Sequence, residues 1–224
     1  DMADEKINKE WLAFFESKGC LCMTLDSRKN QFTKKLMPLI EIAAKEKRER
    51  DLKRGIKNRP VRTMITGIPN VGKSTLINSI VGKSMAKTGN KPGVTKGNQW
   101  IRINKSVELL DTPGILWPKF EDENVGIKLA FCGSIKDEIL DLETLALRLI
   151  ELLQEEYPKL LASRYKLEEI SDEGLENMDN IALNRGFILS KGRIDYSRCA
   201  KTVLDEFRSA QIGRITLERA KQDD

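Results

Sequence analysis

Apolar residues recur along the chain at two different periods, and the changes of period mark out the elements. Val61, Met64 and Ile65 form a short apolar run with enough β-formers for a buried strand. Leu76, Ile77, Ile80 and Val81 follow at helical spacing. Gln99 to Ile103 and Val107 to Leu110 read as two further strands, joined by a tight turn at Asn104-Lys105. Nearer the start, Trp11, Leu12 and Phe15 make the apolar face of a helix capped by Asn8, stapled by Ile7 and Leu12, and ended by Gly19. Leu21 to Leu25 reads as a strand, with Asp26-Ser27 in a loop after it. A long helix is predicted from about Gln31 to Arg54, kinked or restarted at Pro38, with Phe32, Leu36, Leu39, Ile40 and Ala43 inward.

The rest of the pattern is helical. Asp122 to Phe131 can start a linking helix, and Leu142, Leu145, Leu149 and Leu152 or Leu153 form an amphipathic stripe that reads as core. Tyr157-Pro158 and Ser171 to Asn180 mark breaks. Asp195 can cap a last helix with Tyr196, Ala200, Val203, Leu204 and Phe207 inward, ending near Gly213.

The chemistry sits between the first strand of the middle segment and its helix. Gly67-Ile-Pro-Asn-Val-Gly-Lys-Ser74 fits G-x-x-x-x-G-K-[ST], and strand, glycine loop and helix are the context that motif requires. Loop N–H groups and the helix N-terminus can cradle phosphates, Lys73 can reach the β- and γ-phosphates, and Ser74 can ligate Mg²⁺. The polar, glycine-rich stretch Gly82 to Gly97 contains Lys91-Pro-Gly-Val-Thr95, whose threonine can supply a second Mg²⁺ oxygen when a γ-phosphate is present. The third strand runs into Asp111-Thr-Pro-Gly114. There Asp111 is placed to hold Mg²⁺, and Gly114 leaves room for its N–H to meet the γ-phosphate. The bland alternatives are a chance glycine turn for Gly67–Ser74, a surface loop for Gly82 to Gly97 and a plain turn for Asp111–Gly114, but their order and flanks favour a nucleotide site.

Composition narrows the class without naming a partner. With 224 residues, 40% hydrophobic and 33% charged, the chain falls among globular proteins of one or two domains. Its net charge of +5 hints at a polyanionic partner only weakly. The cations Lys45, Lys47, Arg48, Arg50, Lys53 and Arg54 are interleaved with Glu46, Glu49 and Asp51, so a solvated helix face competes with an RNA-contacting patch. Lys191, Arg193, Arg198, Lys201, Arg208 and Arg214, around the last helix, pose the same choice. Four cysteines without a C-x-x-C pair, and no histidine, argue against zinc; Cys20 and Cys22 read as buried free thiols. No apolar run approaches membrane-spanning length.

GIPNVGKST, PGVT and DTPG resemble the G1, G2 and G3 motifs of translation-factor-related GTPases. No NKxD follows residue 116; instead Asp1-Met-Ala-Asp4 resembles the tail of such a run, and Leu25-Asp-Ser27 resembles the second base loop. That order is the order of the circularly permuted GTPases. Within them, DTPGILWPKFED and NRGFILSKGRIDYSRCAKTVLDEFRSAQIGRITLE are similar to the ribosome biogenesis GTPase A family. The family's asparagine and lysine of NKxD would precede residue 1, so the sequence is expected to lack an N-terminal part.

The resemblance implies a circularly permuted α/β P-loop GTPase domain over residues 1–118 and an all-α C-terminal domain over 119–224 that docks RNA. It implies Asp1, Asp26 and Ser27 at the base, and Asn70, Val71, Gly72, Lys73, Ser74, Thr75 and Gly114 around the phosphates. Ser74, Thr95 and Asp111 would serve the metal, and Lys73, Thr95 and Gly114 the reaction. The cofactors implied are GTP/GDP and Mg²⁺, with K⁺ held beside the phosphates through Asn70. Where many GTPases carry a water-orienting glutamine, this chain has Ile115 and then Leu116, which points to slow intrinsic hydrolysis stimulated by K⁺ and a macromolecule. The implied partner is the large ribosomal subunit and its rRNA, with no membrane and no DNA. A monomer is expected, in the cytoplasm or, for a eukaryotic source, the mitochondrial matrix. The rival readings are a P-loop kinase or metabolic ATPase, and a non-catalytic RNA-binding scaffold with a nucleotide site kept for folding.

Overall fold

The computed structural model describes residues 2–29, 32–82, 97–116, 120 and 122–220. Asp1, Thr95 and the rest of the PGVT segment lie outside the described residues. The chain divides into two compact units, Lys6–Pro118 with Arg219–Asp224, and Asp1–Glu5 with Lys119–Glu218.

The first unit is built on a mixed sheet. Strands β1 (Val61–Ile65), β2 (Gln99–Arg102) and β3 (Val107–Asp111) lie in the order β1-β3-β2. β3 runs parallel to β1 and antiparallel to β2, and the parallel register pairs Ile65 with Asp111. Asn104 shapes the β2–β3 turn, its Oδ1 accepting from Ser106 N at 2.7 Å and Val107 N at 2.9 Å. Alternate residues point to one face, where Ile101 and Leu109 pack with Ile77 of the helix Lys73–Val81. Burying each of these side chains contributes about 1.5–3 kcal/mol. Met64, expected in a wholly buried run, points the other way and is 60% exposed.

Two helices precede the sheet. α1 (Glu5–Ser17) starts three residues ahead of Asn8, which therefore lies inside the helix rather than capping it. The start is set by a distant contact, Asp4 N donating to Thr216 Oγ1 at 2.9 Å. Ile7 is buried, but Phe15 is exposed and stacks on Trp11. Leu21 to Leu25, expected as a strand, has no ladder partner among the described residues and Leu21 is exposed. Neither Cys20, exposed, nor Cys22, half-buried, is the buried thiol expected, whereas Cys199, for which no such expectation stood, is buried. α2 (Thr33–Lys53) is a single helix that carries Pro38 inside it without a restart. One turn beyond Ile40 it buries Ala44, not Ala43. The helix after the phosphate loop, Lys73–Val81, is α3.

The second unit is all helical: α4 (Glu123–Phe131), α5 (Leu142–Glu156), α6 (Pro158–Tyr165), α7 (Gly174–Arg185) and α8 (Tyr196–Arg208). α5 is its spine, burying Leu145, Ala146, Leu149, Ile150 and Leu153 against α7 and α8. Side chains cap three of these helices: Asp122, Asp141 and Asp195 accept from the first-turn amides of α4, α5 and α8. Pro158 opens α6, as Pro at a first helical position can. The break expected over Ser171 to Asn180 is overridden, because α7 begins at Gly174. Asn177 accounts for this: fully buried, it donates to Gln154 Oε1 and Ser171 O and accepts from Ser171 N. α8 ends at Arg208, five residues short of Gly213.

Candidate functional site

The parallel register that pairs Ile65 with Asp111 brings the carboxyl ends of β1 and β3 side by side. Ligands of open α/β sheets bind outside such ends. The chain leaving β1 becomes the loop 66–72, and the chain leaving β3 becomes Thr112-Pro-Gly114. A hydrogen bond ties the two exits, Thr112 Oγ1 donating to Ile65 O at 2.6 Å. In the sequence, Thr112 is signalled only as a β-branched hydroxyl directly after a buried strand.

The loop is shaped by its own residues. Asn70 sits at φ +59° in the left-handed region, which asparagine tolerates better than most residues. Gly72 sits at φ +95° as the residue capping α3, so Lys73 starts the helix. Lys73 Nζ reaches back over the loop and donates to Gly67 O at 3.0 Å and Ile68 O at 2.8 Å. This places the ammonium in the concavity where a phosphate would lie. Val71 is 58% exposed on the rim, and Ser74 and Thr75 follow in the first turn of α3.

Gly114 meets this loop closely. A Cβ built there would stand 2.6 Å from the Cα and N of Pro69 and 2.9 Å from Lys73 Nζ. The glycine thus lets two backbones and the lysine converge. Ile115, next along, is 75% exposed and carries no group able to orient water.

Asp111 ends β3 with its residue 2% exposed, and its Oδ1 has no hydrogen-bond partner among the described residues. A buried oxygen left unpaired is costly unless something else satisfies it. Burial pushes the Asp111 carboxyl up, while Lys73 opposes the shift. The same two effects act in reverse on Lys73, which burial pulls below the usual lysine range against the pull of Asp111. A hard cation with oxygen ligands would answer the Asp111 oxygen, and the Ser74 hydroxyl, in the first turn of α3, is a group that could serve as a second ligand. The residues fit Mg²⁺.

The expected base loop is a closed turn. Lys29 N donates to Asp26 O at 3.0 Å, Arg28 N donates to Asp26 Oδ1 at 3.0 Å, and Lys29 pairs with the same carboxylate at 3.3 Å. Ser79, on α3, donates from its hydroxyl to Ser27 O. The Asp26–Ser27 turn and the loop 66–72 are therefore joined through α3. Nothing in the sequence distinguishes Ser79, one hydroxyl on a helix defined by its apolar spacing.

Residues 62–182 match the family described as 50S ribosome-binding GTPase. A ribosome biogenesis GTPase A of Bacillus cereus is 44% identical over 99% of this chain and 75% of its own length. The chain belongs to the ribosome biogenesis GTPase A family. It is a GTPase with the circularly permuted P-loop fold. The Thermotoga maritima ribosome biogenesis GTPase A is 31% identical over 98% of this chain and 73% of its own length. The GDP-bound structure of TM YlqF superposes with a TM-score of 0.65 at 27% identity, over 98% of this chain and 79% of that one. Asp1 and Thr95 lie outside the described residues, so the structure places every other expected site residue but not these two.

Proposed function

We propose that this GTPase A family member binds GTP and Mg²⁺ at the carboxyl ends of β1 and β3 and assists assembly of the large ribosomal subunit. The observation that carries the site is the convergence of Lys73, Asp111 and Gly114 at the paired ends of two parallel strands. Bound Mg²⁺ would neutralise charge developing on the phosphates. Asp111 and Ser74 would hold it, with Thr95 completing the set when the γ-phosphate is present. Lys73 would exchange its loop carbonyls for phosphate oxygens. Gly114 N–H would sense the γ-phosphate and Asn70 would help hold K⁺. Asp1 would serve as the base carboxylate alongside the Asp26–Ser27 loop. With Ile115 unable to orient water, hydrolysis would be slow until K⁺ and the partner completed the site.

The helical unit is the proposed rRNA-docking part, and its arginines support that reading by falling into two groups. Arg148, Arg164, Arg185, Arg208 and Arg214 each pair with a carboxylate of the same unit. Arg193 and Arg198 are exposed and pair with no carboxylate among the described residues, and Lys191 and Lys201 lie beside them in sequence. Arg198 also lies over the Phe187 ring, 4.9 Å from its centroid, but neither arginine is neutralised by a carboxylate, and exposed cations of that kind are what phosphate contacts use.

The test is GTP hydrolysis in K⁺ buffer with and without purified large ribosomal subunits. Strong stimulation with GTP and none with ATP is expected; a flat response would remove the subunit as partner. Lys73→Ala should abolish nucleotide binding while leaving the circular dichroism spectrum unchanged.

A further inference from the structure

The turn that follows Leu25 is held in a way that its own sequence does not explain. The peptide unit between Ser27 and Arg28 has both polar groups engaged. Its C=O accepts from the Ser79 hydroxyl, and its N–H, that of Arg28, donates to Asp26 Oδ1 at 3.0 Å. Lys29 N closes the turn on Asp26 O at 3.0 Å. A peptide plane fixed at both edges cannot rotate without breaking one of them. The N–H groups of Asp26 and Ser27 have no acceptor among the described residues, and that of Ser27, next to the peptide plane that Ser79 holds, is left for a ligand.

The Asp26 contacts are local and would travel with the turn wherever it moved. Ser79 is different, because it belongs to α3, whose first turn carries Lys73 and Ser74. Its hydroxyl, fifty-two residues from Ser27 in sequence, fixes the turn relative to the phosphate loop. A guanine presents a carbonyl oxygen to a backbone N–H, whereas adenine presents an amino group, a second donor, at the same ring position. A misaligned N–H loses the guanine contact and gains nothing with adenine.

We infer that Ser79 is a positioning residue for base discrimination: it sets the Asp26–Ser27 turn against the phosphate loop so that the Ser27 N–H meets the guanine carbonyl. The inference rests on the base-loop reading of Asp26 and Ser27 given above. Ser79 touches no nucleotide in this role and acts only through the Ser27 carbonyl.

The experiment follows release of fluorescent mant-GDP and mant-ADP from the wild-type protein, Ser79→Ala and Ser79→Thr, with thermal unfolding of each as the fold control. Ser79→Ala should release mant-GDP about five- to tenfold faster, the weight of one hydrogen bond, and should leave mant-ADP release unchanged. The preference for GDP over ADP should narrow by the same factor, and Ser79→Thr, which keeps the hydroxyl, should restore it. A purely structural role would move the unfolding midpoint and both release rates together. A wild-type preference for GDP with Ser79→Ala indistinguishable from it would overturn the Ser79 role alone. A wild-type protein that releases both nucleotides alike would overturn the base-loop reading, and the Ser79 role with it.

Discussion

Gly114 approaches Pro69 so closely that a Cβ at position 114 would stand 2.6 Å from the proline Cα and N. Both contacts are backbone, so no side-chain rotation can relieve them. Gly114→Ala must push the segment after β3 away from the phosphate loop. The segment also carries the N–H proposed to meet the γ-phosphate. Hydrolysis should therefore fall on the order of a hundredfold, as when one transition-state donor is withdrawn. GDP, which has no γ-phosphate, should bind with little change. Equal loss of GDP and GTP binding, read by isothermal titration, would mean that the glycine serves only the loop's shape.

Asp111 and Lys73 sit together at a cost to the fold. The Asp111 Oδ1 is buried and unpaired among the described residues, and burial disfavours the charge of both groups. Asp111→Asn removes the buried anion at nearly constant volume. In Mg²⁺-free buffer the variant should melt a few degrees higher than the wild type, and it should no longer gain stability or hydrolysis from added Mg²⁺. A variant that melts lower and keeps its Mg²⁺ response would take Asp111 out of the metal site.

Two arginines expected on one basic face separate cleanly. Arg208 is not available to RNA. It donates to Phe131 O and Ala130 O at 2.9 and 2.8 Å and forks onto Asp137 at 2.8 and 2.9 Å. Those carbonyls end α4, so Arg208 satisfies groups that a helix terminus leaves open. Arg208→Ala should destabilise the helical unit by about 1–3 kcal/mol, through the Phe131 carbonyl left open and the lost fork onto Asp137, since Ala130 O keeps its bond from Gly133 N. The double variant Arg193→Ala with Lys201→Ala, both exposed and pairing with no carboxylate among the described residues, should leave stability nearly unchanged. It should weaken binding to large ribosomal subunits and lower the slope of log K against log salt by about 1.5. Filter binding across a salt series, beside urea melts, separates the two outcomes.

What the sequence discloses follows the range of the interactions concerned. The phosphate loop is legible because its conformation is dictated by nearby residues, Gly72 and Asn70 at positive φ before a helix that starts at Lys73. The cap at Asp195 and the break at Tyr157-Pro158, between α5 and α6, are local in the same sense. Asn8 misleads because the start of α1 depends on Thr216, more than two hundred residues away. The Leu21 to Leu25 segment has the composition of a strand, but a strand needs a neighbour, and composition carries no information about one. Met64 looks buried until the pleat assigns it to the other face of the sheet. Arg208 is indistinguishable from Arg198 by type and spacing, and only the fold supplies its carbonyl partners.

Glu206 gives the helical unit a defined response to acid. It lies 7% exposed on α8 between two guanidinium groups, bonded to Arg164 at 2.6 and 2.9 Å and to Arg185 at 2.9 and 3.2 Å. Burial alone would raise its carboxyl. Hydrogen bonding, led by Arg164, and the charges of both arginines outweigh burial and hold it below the ordinary glutamate value of 4.5. A depressed pKa means the unfolded chain takes up the proton first. The stabilisation is therefore complete above pH 4.5 and is lost as pH falls through the lower, folded value. Glu206→Gln leaves two cations facing a neutral amide and should cost about 1–3 kcal/mol at pH 7, less than a fully buried pair because both arginines reach solvent. That gap should shrink as the buffer is taken below pH 4.5, since acid does to the wild type what the substitution has already done. Urea melts at neutral and acidic pH measure it directly. A gap of equal size at both would assign the loss to packing rather than to the charge of Glu206.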